Sequence, residues 1–258
     1  MSWERRVETK EPLKRPNVRK VELGRLICAP PNWVLTQPEI IDHLKTRPGR
    51  LRLALTGSVA SGKSVVAKLF ERLGARHIDF DLLAQRAAAP GEPGFKAAMT
   101  LLGPNFLQPN GTLDRPKVGR AIFANKTLRA KLEKIFHPLI WGLMAKELEH
   151  LATEPLVLIS IPLLFEIGLE TFFRPIILVF TEPAIQMRRL LARNPNLTRA
   201  NAKAIMASQW PAPPKIKGSH FILNNSGSLA GTEAQVGQIL IKIKGSPGLL
   251  SPETAFYH

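Results

Sequence analysis

Residues 51–87 read LRLALTGSVASGKSVVAKLFERLGARHIDFDLLAQRA, and the reading of this stretch decides the fold. It opens on an apolar run, Leu51 to Thr56, that predicts a buried strand. Gly57 breaks the run, and Gly62-Lys63-Ser64 starts a segment of helical periodicity that continues to about Leu73. A second short strand, Arg76 to Phe80, carries Asp79 and leads directly into Asp81. Strand, glycine turn and helix in this order give the context that a phosphate-binding loop requires. Gly57-Ser58-Val59-Ala60-Ser61-Gly62-Lys63-Ser64 satisfies its Gly-x-x-x-x-Gly-Lys-Ser pattern in full.

Each position of the pattern has a physical task. The glycines admit backbone angles that turn successive amides of the Gly57, Ala60, Ser61 and Gly62 region toward phosphate oxygens. The following helix adds the positive end of its dipole, Lys63 reaches the outer phosphates, and the Ser64 hydroxyl is placed to ligate Mg²⁺. Asp79 and Asp81 stand at the C-terminal end of the second strand, the edge where open α/β sheets bind ligands. If the strand runs through both, residues two apart point the same way and both carboxylates face the nucleotide crevice. One such acid beside an acceptor hydroxyl can orient it and take its proton during phosphoryl transfer. Asp81 can equally cap a helix beginning at Leu82, and the two roles are compatible.

Downstream, strands and helices alternate as in an α/β protein. Helices are expected over Leu82–Ala89, Phe95–Leu102 and Pro116–Phe123, and an amphipathic stretch over Thr127–Leu151 is interrupted near Pro138. The runs PLVLISI and PIILVF are apolar on both faces and predict central parallel strands. Helices follow over Met187–Arg193 and within LTRANAKAIMASQW, then a last strand in HFILNN and a closing helix over Leu229–Lys244. The strand before IPLLFE has no terminal aspartate, and Glu166 is the only acid near it, which disfavours a motor or switch NTPase.

Together, LALTGSVASGKSVVAKLFERLGARHIDFDLLAQ, HPLI (137–140), IPLLFE (161–166), LLAR ending at Arg193, and ILNNSGS (222–228) resemble the dephospho-CoA kinases, in unbroken order from about Leu51 to Leu240. The resemblance implies a P-loop kinase fold like that of the nucleoside-monophosphate kinases, with a parallel sheet flanked by helices. It also implies a helical substrate-binding insertion at about 87–153 and a lid at about 193–218. The implied activity is transfer of the ATP γ-phosphoryl group to the ribose 3′-hydroxyl of dephospho-CoA. By position Asp81 matches the family's catalytic aspartate, and Ala60 to Val65 match its ATP-binding stretch. Lys63, Gly57 and Arg193 complete the candidate nucleotide site, with ATP and Mg²⁺ as the implied cofactors. The chain departs from the family at Ser58, where a second glycine is common, and in its lid. There Asn194, Ile216, His220 and Asn224 replace an aspartate, an arginine and two aspartates. Lys215 is retained. Arg189 and Arg193, four apart, either supply lid charge or are solvated. Gln209 faces nucleotide or water, and His77 and His137 read as structural.

Other readings of the same signals are a P-loop kinase for a nucleoside or sugar, and a degenerate ATP-binding protein whose basic arm engages nucleic acid. The net charge of +16 favours anionic partners, but no aromatic and basic RNA-reading module is present in the core. Residues 1–50, rich in proline and basic residues, predict a poorly ordered extension in which Trp33–Leu44 could dock on the domain, and residues 246–258 predict a frayed tail. One cysteine, Cys28, excludes an internal disulfide and fits a cytoplasmic setting, and no apolar run suffices for a membrane span.

Overall fold

The computed structural model describes residues 44–46, 49–166 and 168–245. Five parallel strands form one sheet in the order β2-β3-β1-β4-β5. They are β1 (Leu51–Thr56), β2 (Arg76–Asp79), β3 (Leu156–Ser160), β4 (Ile176–Phe180) and β5 (Phe221–Asn224). β1 lies in the middle, Leu53 in register with Leu158 of β3 and Leu55 with Ile177 of β4. Chain order and spatial order diverge on either side of β1, so its C-terminal end opens into the crevice where such sheets bind ligands.

The helices are α1 (Lys63–Arg72), α2 (Phe80–Ala87), α3 (Pro93–Leu102), α4 (Arg115–Ala124), α5 (Lys126–His150), α6 (Pro183–Arg193), α7 (Arg199–Ala207), α8 (Ala212–Lys217) and α9 (Leu229–Gly245). Strand alternation assigns the two faces of the sheet. Leu53, Leu55, Leu158, Ile177, Val179 and Leu223 pack under α1 and α9, against Phe70, Val236 and Ile243. Ala54, Val157, Ile159 and Ile176 face the other way, onto Phe80 and Leu83 of α2 and Ile140, Trp141, Met144 and Leu148 of α5. Phe80 meets Trp141 edge to face, with ring centroids 5.2 Å apart. Beyond the sheet, α3, α4 and the start of α5 build a small core of their own around Ala98, Leu113 and Leu132.

α5 corrects one expectation: it runs unbroken through Pro138. Proline removes one backbone bond and crowds the preceding turn, at about 3 kcal/mol. Just beyond it Ile140, Trp141, Met144 and Leu148 are each 1% exposed or less. Burial at about 1.5–3 kcal/mol for each large apolar side chain outweighs the loss.

A second correction concerns the two aspartates. β2 ends at Asp79, which caps α2 by accepting the Asp81 amide at Oδ1, 2.8 Å away. The helix therefore begins at Phe80, and Asp81 lies in its first turn with its carboxylate unused by capping. α6 starts at Pro183, four residues before its expected start, because proline fits the first turn of a helix. The proline-rich PAPPKIK adds the short α8, for which no helix was expected.

Arg52 on β1 is 1% exposed. Its guanidinium donates to the carbonyls of Leu151 and Glu154, both at 2.9 Å, closing the end of α5 onto the sheet. Burial pushes its pKa down to about 10, so it remains charged at neutral pH. Leu44 is buried in the α5-side core and Thr46 Oγ1 bonds to the Arg52 backbone, so this end of the expected docking stretch packs on the domain. The rest of that stretch, the basic arm, Cys28 and the tail lie outside the described residues. Among the described residues no helix is long and apolar enough to cross a membrane.

Candidate functional site

The loop from Gly57 to Ser64 leaves β1 and enters α1, and neighbouring strand ends hold it in shape. Its key anchor is the Ser61 carbonyl, which accepts from Thr181 Oγ1 at 2.9 Å and from Asn225 Nδ2 at 2.8 Å. Asn225 is itself fixed: its Oδ1 accepts from Thr232 Oγ1 at 2.9 Å, and its carbonyl from Arg189 at 3.0 Å. With that carbonyl tied back to the residues after β4 and β5, the amides of the following turn are free to face an anion. Ala60 has φ +58, the single non-glycine residue in the left-handed region among those described, and Gly62 has φ +89. Such alternation forms the concave run of amides that suits phosphate. At Gly57 an added Cβ would lie 2.6 Å from the Val179 carbonyl, so only glycine fits between β1 and β4 there.

The remaining predicted residues fall as follows. Ser61 is buried, its hydroxyl without a hydrogen-bond partner among the described residues. Ser64 and Val65 are exposed on the first turn of α1. The Lys63 ammonium donates to the Gly57 carbonyl at 3.4 Å. Burial holds its pKa below the ordinary lysine value, the charges of Asp81 and then Asp79 oppose that shift, and Lys215 and Arg193 add to it. Asp81 is exposed at the cleft, yet enough protein surrounds its carboxyl for desolvation to raise its pKa. Lys63 and Arg115 pull it down and Asp79 pushes it further up. Lys63, Asp81, Asp79 and Arg193 therefore share one electrostatic environment, which spacing along the chain could only suggest. Arg189 does not point outward as a lid cation: it is half-buried, bonded beneath the loop to Asn225 and Thr181. Arg193 is exposed at the end of α6.

Two further side chains reach the loop from the segment after α7. Gln209, left open between nucleotide and water, accepts the Val59 amide at 2.8 Å through its side-chain oxygen. Lys215, retained from the lid pattern, is buried instead, 2.7 Å from Glu166 Oε1. His77 is structural: Nε2 is 2.8 Å from Ser160 Oγ, which ties β2 to β3 just behind Asp79. A cavity of about 340 Å³ opens between Ser58, Val59, Thr181, Gln186, Gln209 and Trp210, and neither Lys63 nor Asp81 lines it. It lies between the loop's outer edge and the α7–α8 segment, and Lys215, whose charge acts on Lys63, also lines it.

Thr181, Asn225 and Thr232 were not recognised as site residues. Thr181 and Asn225 stand just after β4 and β5, Asn225 within the ILNNSGS stretch, and Thr232 sits in the first turn of α9, positions that became meaningful once the sheet order was known. Ser64 offers a hydroxyl oxygen, a donor that suits a hard cation such as Mg²⁺. Among the described residues no group of three or more His, Cys, Asp or Glu is arranged to hold a metal, so further oxygens would have to come from phosphates or water.

Comparison with known proteins adds an independent finding. A family model described as dephospho-CoA kinase matches residues 51–231. A dephospho-CoA kinase from Geobacillus kaustophilus is 38% identical over 192 residues, covering 74% of this chain and 95% of that protein. Among solved structures, TT1252 from Thermus thermophilus superposes with a TM-score of 0.64 at 33% identity, covering 75% of this chain and 98% of that one. A dephospho-CoA kinase from Campylobacter jejuni gives 0.56 at 25% identity, covering 75% and 97%.

Proposed function

Because the chain belongs to the dephospho-CoA kinase family, we propose that it transfers the γ-phosphoryl group of ATP to the ribose 3′-hydroxyl of dephospho-CoA, giving coenzyme A. The observation that supports the reading is the Gly57–Ser64 loop between β1 and α1 with Asp81 in the first turn of α2 at the same sheet edge, near enough for its charge to act on Lys63. A cation for the donor and a carboxylate for the acceptor are the two groups that in-line phosphoryl transfer needs on opposite sides of one phosphorus.

In this reading the Ala60–Val65 stretch binds the β- and γ-phosphates through the amides of Ala60, Gly62, Lys63 and Ser64 at the N-terminal end of α1. The Ser61 and Val65 amides donate to the Ser58 and Gly62 carbonyls and hold the turn. Lys63 holds the outer phosphates and neutralises charge that builds on the transferring group. The Ser64 hydroxyl holds Mg²⁺, which supplies further neutralisation of the phosphates when bound. Asp81 accepts a hydrogen bond from the acceptor 3′-hydroxyl, aims its oxygen at phosphorus, and takes its proton as the new P–O bond forms. Asp79 orders the first turn of α2 and keeps Asp81 at its post. Arg193 adds positive charge from the lid side, residues 193–218, where Ile216 offers none. The helical unit α3–α5, within residues 87–153, covers the acceptor, and Arg115 stands within electrostatic reach of Asp81 to meet its anionic part. The reaction runs in the cytoplasm, where ATP and dephospho-CoA are both available.

The test is an acceptor panel at saturating ATP and Mg²⁺, followed by ADP release. Dephospho-CoA supports turnover and nucleosides and simple sugars do not. Equal or faster turnover on a nucleoside or sugar would replace this reading with the second kinase reading.

A further inference from the structure

A cavity of about 340 Å³ opens between the α7–α8 segment and the outer edge of the phosphate loop, and polar contacts from Gln209 and Lys215 cross between the two. Trp210 of the segment packs on the core, and polar contacts complete the segment's placement against the loop. The Lys215 side chain is 1% exposed, its ammonium 2.7 Å from Glu166 Oε1, and it donates to the Ser58 hydroxyl at 3.4 Å. Glu166, 0% exposed at its side chain, also accepts the Trp210 amide at 3.0 Å through the same oxygen. One ammonium thus joins three pieces of chain: the phosphate loop, the loop after β3, and the lid segment.

We propose that Lys215 is a positioning residue that acts on nucleotide through Ser58, holding the second residue of the phosphate loop and the lid segment in one frame before ATP binds. The inference rests on the ATP-dependent reaction proposed above. A lysine freely projecting from the lid would touch the transferring phosphoryl group itself. Here, departure of the ammonium would leave the Glu166 carboxylate buried and unpaired, which is strongly unfavourable. Ser58 is what connects the pair to the loop. A glycine at this position would offer Lys215 no acceptor side chain. Loop amides contact phosphate in the ground state and the transition state alike, so loss of their pre-set geometry weakens binding more than it slows the chemical step.

The experiment measures ATP KM and kcat with dephospho-CoA saturating, alongside melting temperature. The proteins are the wild type, Lys215→Met, Lys215→Met/Glu166→Gln, Ser58→Gly and Lys215→Met/Ser58→Gly. Lys215→Met lowers Tm and raises ATP KM by about ten-fold, the worth of one charge-assisted hydrogen bond, while kcat falls less than about three-fold. The Glu166→Gln double variant, with no buried charge left unpaired, recovers Tm but keeps the raised KM. Ser58→Gly raises KM alone, and raises it no further in the Lys215→Met background. The proposal is overturned if kcat falls more than KM rises, if KM recovers together with Tm, or if the Ser58 and Lys215 effects simply add. Should Lys215→Met fail to fold, the Glu166→Gln double variant and Ser58→Gly carry the same tests. A wild type that makes no coenzyme A counts against the proposed function instead, and ATP titration calorimetry on the same variants still decides the role of Lys215.

Discussion

Gly62 and Gly74 share a φ of +89°, and comparing them separates backbone strain from damage to the phosphate loop. An alanine in this left-handed region costs about 1–2 kcal/mol at either position. At Gly74 nothing lies within 4 Å of the added Cβ, so strain is the whole effect. At Gly62 the Cβ would sit 2.1 Å from Asn225 Nδ2. That amide cannot step aside freely, because it donates to the Ser61 carbonyl while its oxygen accepts from Thr232. Displacing it loses two hydrogen bonds at about 1 kcal/mol each. Gly62→Ala therefore disfavours the nucleotide-ready loop by about 3–4 kcal/mol, or roughly 100- to 1,000-fold in ATP affinity. Gly74→Ala lowers Tm by about 2–8 °C and leaves ATP affinity unchanged. Titration calorimetry with ATP and thermal melts of both variants supply the comparison. ATP affinity of Gly62→Ala within three-fold of wild type would refute the role given to the Asn225 anchor.

Other consequences follow from the same geometry. Asp81 must be ionised to take a proton, and its pKa is raised, so kcat/KM falls on the acid side at a pH above the usual carboxylate value of about 3.9. Asp81→Asn cuts kcat by about 10²–10⁴-fold with little change in ATP binding and abolishes that acid limb; a pH–rate profile of both proteins checks this. Ser64→Ala raises the magnesium concentration needed for half-maximal rate, measured by metal titration of initial velocity. Arg52→Met strips donors from the carbonyls at the end of α5 and costs about 1–3 kcal/mol of stability in denaturant melts. Its kcat at low temperature stays near wild type, because Arg52 lies at the end of β1 opposite the cleft.

The central strands were legible in sequence because they carry their signal locally. β1 was expected at Leu51–Thr56 and forms there, every residue buried, as an apolar run on both faces requires. The phosphate loop was legible for a related reason, since its pattern encodes the backbone shape itself. Asp79 and Asp81 were harder to separate: both precede apolar helix residues, and only the hydrogen bond to the Asp81 amide shows which one caps α2. Pro138 misled because the cost of a proline is local, whereas the burial of Trp141 and its neighbours that outweighs it is tertiary. The Lys215–Glu166 pair had no local trace at all. Its partners belong to α8 and the loop beyond β3, segments that meet only in the folded chain.

The most direct measurement incubates the protein with ATP, Mg²⁺ and dephospho-CoA and follows the acceptor by mass spectrometry. The account predicts an added phosphate on the ribose 3′-oxygen, formed in step with ADP and absent when Asp81 is replaced by Asn. ATP turnover without any phosphorylated dephospho-CoA, or phosphate placed at another oxygen, would contradict it.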